Sequence, residues 1–239
     1  LQLTLKLSNY VFITEDALYF KTYLSSLQYA AATTLLCLFI GYPFAYFMAR
    51  ARSTLQPALL MLVMLPFWTS FLLRVYAWMG LMGSNSWFNK GLTAIWNAAV
   101  PQGWELTSIP MMNTNFAVIL VMVYTYLPFM ILPLYSVMKT IPPVYLRAAS
   151  SMGARPFTGF IRVYLPLTMP GVAAGALLVF ILAVGYYITP ALVGGPSGQL
   201  ISNLIAYHIQ QSLNWGLGAA LSAALLGAVI VLYLVFNRV

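Results

Sequence analysis

The sequence predicts an all-α, polytopic membrane protein, and three observations predict it. Of its 239 residues, 62% are hydrophobic and only 6% are charged, a composition outside that of soluble globular domains. The length suits five or six apolar spans of about 20 residues each. The charges gather at the ends of the apolar runs. One transmembrane domain, residues 1–239, is therefore expected. Lys and Arg number 11 against three Asp and Glu, a net charge of +8. Such a surplus can signal nucleic acid, but these basic residues form no patch with polar neighbours, so membrane topology explains them better. Cys37 stands alone in an apolar run, which leaves no disulfide framework and no metal cluster. The chain opens on Leu1 without a signal peptide, and a trimmed N-terminus is expected.

Residues 1–21 are mixed and polar, with Glu15 and Asp16. The first span is expected at residues 23–49, closed by Arg50 and Arg52 and kinked at Pro43; neighbouring helices re-satisfy the carbonyl that such a proline frees. The second, 56–82, is broken by Pro66 and contains Arg74. A connector from Gly83 to Met112 follows, and its Trp87, Trp96 and Trp104 suit interfacial anchoring. The third span, 114–138, holds Pro128 and Pro133. The fourth, 171–192, ends before Gly194-Gly195-Pro196. Between Gln199 and Trp215, Leu200, Leu204, Ile205, Ile209 and Leu213 recur at helical spacing, which predicts an amphipathic helix. The fifth span, 216–236, carries Gly216, Ala220, Ala223, Ala224, Gly227 and Ala228, small residues that permit close helix packing.

The long segment 139–170 is polar enough to lie outside the bilayer yet patterned as helix. Pro142 and Pro143 suit a helix start, Gly153 a turn, and Pro156 a second start. With Arg50, Arg52 and Arg238, its Lys139, Arg147, Arg155 and Arg162 place seven basic residues and no acid on one side of the membrane. The other side holds Lys6, Lys21 and Lys90 with all three acids, Glu15, Asp16 and Glu105. The excess puts the 139–170 loop in the cytoplasm. Five spans with an inner C-terminus leave the N-terminus outside, and a further span before Leu1 is expected to restore it to the cytoplasm.

Within this loop Ala148, Ala149 and Gly153, then Val163, Leu165 and Pro166, follow the spacing A-A-x-x-x-G, nine residues, V-x-L-P. The pattern resembles the EAA loop of ABC importer permeases. Gly41–Ala45 (G-Y-P-F-A), Leu65–Trp78 (L-P-F-W-T-S-F-L-L-R-V-Y-A-W), Tyr126–Tyr135 (Y-L-P-F-M-I-L-P-L-Y) and Leu192–Pro196 (L-V-G-G-P) extend the likeness over nearly the whole chain. Together with Leu18–Leu27 they are similar to permeases of the bacterial spermidine/putrescine branch. The resemblance implies the type I importer transmembrane fold in the bacterial inner membrane. It also implies a second homologous permease, two ATPase subunits that carry ATP and Mg, and a periplasmic substrate-binding protein. The loop would dock on the ATPase through Arg147, Ala148, Ala149, Gly153, Val163, Leu165 and Pro166. The family usually has Glu where this chain has Arg147, so no Glu-mediated ion pair carries over to that position.

No enzyme site emerges from the residues themselves. There is no Walker A sequence. His208, the only histidine, has no cysteine or carboxylate near it in sequence and reads as a surface residue of the amphipathic helix. Arg74 falls inside a span, where a charge costs roughly 2.5–3.5 kcal/mol at the bilayer centre; it either snorkels outward or serves the pathway. Trp68, Tyr124, Tyr126, Tyr186 and Tyr187 are further pathway candidates, since aromatic faces hold organic cations at about 0.5–2 kcal/mol each. The alternative for each is plain packing. Proline-broken spans point to a cavity more strongly than any single ring. A polyamine is one cargo; 4-aminobutyrate, an opine, iron(III) or sulfate are others, although the spans hold no carboxylate for iron(III). An ATP-independent channel would not need the A-A-x-x-x-G loop.

Overall fold

The structure, a computed structural model, describes residues 11–13, 17–100, 106–195 and 200–238. Lys6, Glu15, Asp16, Trp104, Glu105 and Pro196 lie outside them. Among the described residues every regular element is a helix: α1 (Ala17–Arg50), α2 (Gln56–Met64), a 3₁₀ turn (Leu65–Trp68), α3 (Phe71–Met82), α4 (Trp87–Ala99), α5 (Asn115–Thr140), α6 (Val144–Ser151), α7 (Pro156–Gly159), a π-helical turn (Phe160–Tyr164), α8 (Leu165–Val184), α9 (Ile188–Val193), α10 (Ile201–Gln210) and α11 (Trp215–Arg238). Among the described residues four helices are long and apolar enough to cross a membrane: α1, α5, α7 through α8, and α11. A fifth is counted if the broken pair beginning at α2 and at α3 forms one span.

The break in that pair has a local cause. Pro66 enters the 3₁₀ turn at its first positions, where its missing N–H is an orphan in any case. The helix therefore survives the proline and ends at Thr69, which is extended at φ −94° and ψ 148°.

The chain divides into two compact units. The first comprises Leu1–Ala30, Leu72–Val121 and Val184–Val239; the second comprises Ala31–Phe71 and Met122–Ala183.

The second unit is held by α1, α5 and α8. Thr33, Cys37, Gly41, Ala45 and Met48 line one buried face of α1 at three- and four-residue spacing, while Leu35, Leu36, Phe39 and Phe47 are exposed. Small residues inside and large apolar ones outside are the arrangement expected where lipid covers the exterior. A Cβ built on Gly41 would lie 3.2 Å from Met130 Cγ. On α8, Gly171 and Gly175 repeat the device one turn apart: their Cβ positions fall 3.1 Å from Val137 Cβ and 2.9 Å from Met130 Sδ. The C-terminal half of helix α5 is thus gripped from two sides, and Met130, Ile131, Leu134 and Met138 are fully buried.

In the first unit, Tyr19, Ile201, Leu217 and Leu221 form the core. Tyr23 donates to the Leu221 carbonyl at 2.6 Å, and Ser26 Oγ accepts the buried Ile201 N–H at 2.8 Å. Helices α10 and α11 pack closely at Gly218, where a Cβ would meet Ile209 Cγ1 at 2.6 Å. The connector after Gly83 is more ordered than its composition suggests. It contains α4, capped by Ser86 Oγ on the Asn89 N–H at 3.0 Å. Asn89 exchanges two bonds with the backbone of Ile109, donating at 2.8 Å and accepting at 3.1 Å. Asn97 does the same with Leu106 at 3.0 and 2.9 Å. Each amide replaces a peptide unit, so residues 106–109 are laid along α4 without a strand.

Candidate functional site: the loop between α5 and α8

Helix α5 ends with Lys139 in its last turn, and Pro143 caps the start of α6. Met152, Gly153 and Ala154 then donate back to the carbonyls of Ala148, Ser150 and Ala149 at 3.1, 3.0 and 3.0 Å. Gly153 closes this turn at φ +84°, where a side chain is strained. Pro156 opens α7. Ala149 is buried, and a Cβ on Gly159 would contact Leu146 and Ala149 at 3.6 and 3.8 Å. The two short helices therefore pack through small residues, and their larger side chains point away.

Those outward side chains define a surface. Val144 and Tyr145 are about half exposed, Phe157 is 73% exposed and Met152 is 82% exposed. Arg147, Ala148, Arg155, Arg162 and Pro166 are exposed around them, while Val163 and Leu165 are half-buried. Among the described residues no acid lies on this surface. Apolar side chains are thus grouped within a rim of arginines on the exposed side of the loop.

The loop is clamped to α1 by a cluster that sequence reasoning missed. Tyr42, Tyr46 and Arg50 follow one another at four-residue spacing on α1; Phe160, Tyr164 and Thr168 do so across the π turn and α8. Tyr46 meets the fully buried Tyr164 edge-on, with ring centroids 5.2 Å apart. Arg50 sits over both rings, 5.2 and 5.4 Å from their centroids. Tyr42 and Thr168 share a hydrogen bond of 2.9 Å. The matching intervals are visible in the sequence; that the two triplets face each other is not.

The six pathway candidates are divided between the two units. Trp68, Tyr124 and Tyr126 belong to the second unit, whereas Arg74, Tyr186 and Tyr187 belong to the first. Trp68 is 72% exposed at the end of the 3₁₀ turn. Tyr124 lines an apolar cavity of about 180 Å³ with Phe44, Leu62, Pro66 and Pro128. Tyr126 is buried, and its hydroxyl donates to the Leu182 carbonyl at 3.1 Å, the geometry of a packing residue. Arg74 is half-buried on α3. The Tyr186 hydroxyl accepts from Thr189 at 2.8 Å, and Tyr187 borders a cavity of about 420 Å³ beside α10. His208 is not a free surface residue: it is half-buried, with Nε2 3.3 Å from the Tyr19 hydroxyl. Among the described residues, no three His, Cys, Asp or Glu side chains converge as metal ligands.

Residues 37–239 match the family described as "Binding-protein-dependent transport system inner membrane component". The chain is 40% identical over 223 residues to the spermidine/putrescine transport system permease protein PotB of Haemophilus influenzae, covering 93% of this chain and 76% of that one. It is 39% identical to the Escherichia coli K12 protein of the same description, covering 93% and 78%. A bacterial ABC transporter involved in import of the acidic polysaccharide alginate shares the fold, with a TM-score of 0.76 at 16% identity over 99% of this chain and 84% of the other. The length of the match and the all-helical spans agree. The chain belongs to the inner-membrane component family of binding-protein-dependent transport systems and is a multi-pass permease subunit of an ABC importer, a transport component and not an enzyme.

Proposed function

We propose that this permease forms half of the translocation pathway for a polyamine, spermidine or putrescine, and works by alternating access. A second, homologous permease supplies the other half. Two ATPase subunits, which bind ATP and Mg, act from the cytoplasm, and a periplasmic binding protein delivers the cargo. The names of the relatives support the cargo. The observation that carries the mechanism is the docking surface, where Met152 and Phe157 stand exposed on helices packed through Ala149 and Gly159.

The contacts behind that surface give force a route. The π turn continues directly into α8, so a displaced loop moves α8. Rings and Arg50 join the same turn to α1. Gly171 and Gly175 seat α8 against α5 so closely that little sliding is free. Closure of the ATPase pair is thereby passed to three helices at once. Pro128 and Pro133 lie within α5, where the backbone ladder is already interrupted.

The test is uptake by the assembled complex in proteoliposomes, across putrescine, spermidine, 4-aminobutyrate and iron(III). ATP-dependent uptake of spermidine and putrescine, at least tenfold above the other cargoes, is expected. Preference for another cargo would overturn the polyamine assignment. Flux without ATP would overturn the drive.

A further inference from the structure

We infer that the cavity beside α10 is an outer holding site for one ammonium end of the amine cargo, an inference that rests on the polyamine reading and on the cytoplasmic position of the loop after α5. The cavity, about 420 Å³, is lined by Tyr187, Pro190, Asn203, Tyr207, Gln210 and Gln211 among others, and among the described residues no Lys or Arg lies in its wall. It lies in the segment between α8 and α11, which that orientation puts on the periplasmic side.

Its polar groups divide into a fixed wall and free acceptors. Asn203 is committed: its Oδ1 accepts from Leu200 N–H at 3.4 Å and its Nδ2 donates to the Tyr187 carbonyl at 3.3 Å, which holds α9 and α10 at a set spacing. Gln210 and Gln211 are exposed, and among the described residues their side-chain amides make no hydrogen bond. They stand at the C-terminal end of α10, the electronegative end of the helix dipole. Two phenol rings, from Tyr187 and Tyr207, complete the lining.

Amide oxygens, phenol side chains and a helix C-terminus all favour a cation with N–H donors. An anion would find no positive partner in this wall, and a bare metal ion would find no carboxylate. A primary ammonium satisfies each group. The open mouth leaves the rest of a di- or triamine in water. With no acid to bind it tightly, the cargo is held briefly and released, as a pathway requires.

The experiment measures equilibrium binding of radiolabelled spermidine to the assembled complex in nanodiscs, without the binding protein. The variants are Gln210→Lys and Gln210→Glu, with Gln211→Lys and Gln211→Glu as a second pair at another exposed position. The Lys variants should weaken binding at least tenfold and the Glu variants should strengthen it several-fold. Unchanged binding in all four, or equal weakening by both signs of charge, overturns the site. In a separate assay with the binding protein added, equal loss of its capture by both signs of charge does so too, because the cavity would then be a protein contact. If wild-type complex imports spermidine while the variants bind alike, this inference alone fails; if wild-type complex imports no polyamine, the cargo assignment fails first.

Discussion

Met152→Asp and Phe157→Asp should each leave the chain folded in the membrane and lower ATP-driven uptake at least a hundredfold. Both side chains are largely exposed in this chain, at 82% and 73%. Substitution therefore removes little from its own packing, and surface changes of that kind stay within about 0.5 kcal/mol. On the proposed function the same positions become buried when the ATPase docks. Each apolar side chain then contributes roughly 1.5–3 kcal/mol, and an unpaired carboxylate in its place adds a desolvation cost. A hundredfold loss corresponds to about 2.8 kcal/mol, within that range. The readout is uptake together with cargo-stimulated ATP hydrolysis in proteoliposomes, with the yield of monodisperse permease as the folding control. Uptake within threefold of wild type would remove these residues from the contact.

Gly175→Leu acts at the opposite level, on the fold itself. A Cβ there would sit 2.9 Å from Met130 Sδ and 3.2 Å from Met130 O. The sulfur can move, but the backbone carbonyl of a buried helix cannot. Leucine adds three further carbons to that crowded position, and overpacking of this kind costs about 1–3 kcal/mol or more. The chain should lose its sharp thermal transition in detergent or unfold roughly 5–10 °C lower. Gly175→Ala should be milder. Gly227→Leu is the control, because nothing lies within 4 Å of a Cβ at that position. An unchanged transition in Gly175→Leu would mean that α5 and α8 are not in close contact.

How much of this was legible depends on whether the signal is local. The loop's helix-turn-helix form is local: Pro143 and Pro156 fix helix starts and Gly153 supplies a positive φ, so residue type alone suffices. The amphipathic helix after Leu200 is local too, since a 3.6-residue period determines which face is buried. It stops at Gln210, however, and Leu213, expected on the apolar face, lies beyond it, exposed at φ +52°. Other features depend on partners far along the chain. Helix α4 has a local signature of its own, an amphipathic pattern behind the Ser86 cap, but the pairing of Asn89 and Asn97 with a segment up to 20 residues away is not visible in it. The spacing of Tyr42, Tyr46 and Arg50 is plain, but only the folded chain sets them against Phe160, Tyr164 and Thr168. For the same reason His208 read as a surface residue: its partner Tyr19 is 189 positions away. The pathway aromatics were the least legible, because a ring that packs and a ring that lines a channel look identical in sequence. Tyr126 and Tyr124, two residues apart, illustrate the point, one buried and bonded, the other facing a cavity.

On the proposed function, the surface after α5 faces the cytoplasm and carries the ATPase. Labelling of a Met152→Cys chain by a membrane-impermeant maleimide tests it most directly. Cys37, the one native cysteine, is buried and is replaced by serine as background. Labelling should occur in inside-out vesicles stripped of the ATPase and be suppressed when the ATPase subunits are restored. Labelling from the outside of right-side-out vesicles, or labelling indifferent to the ATPase, would contradict the account.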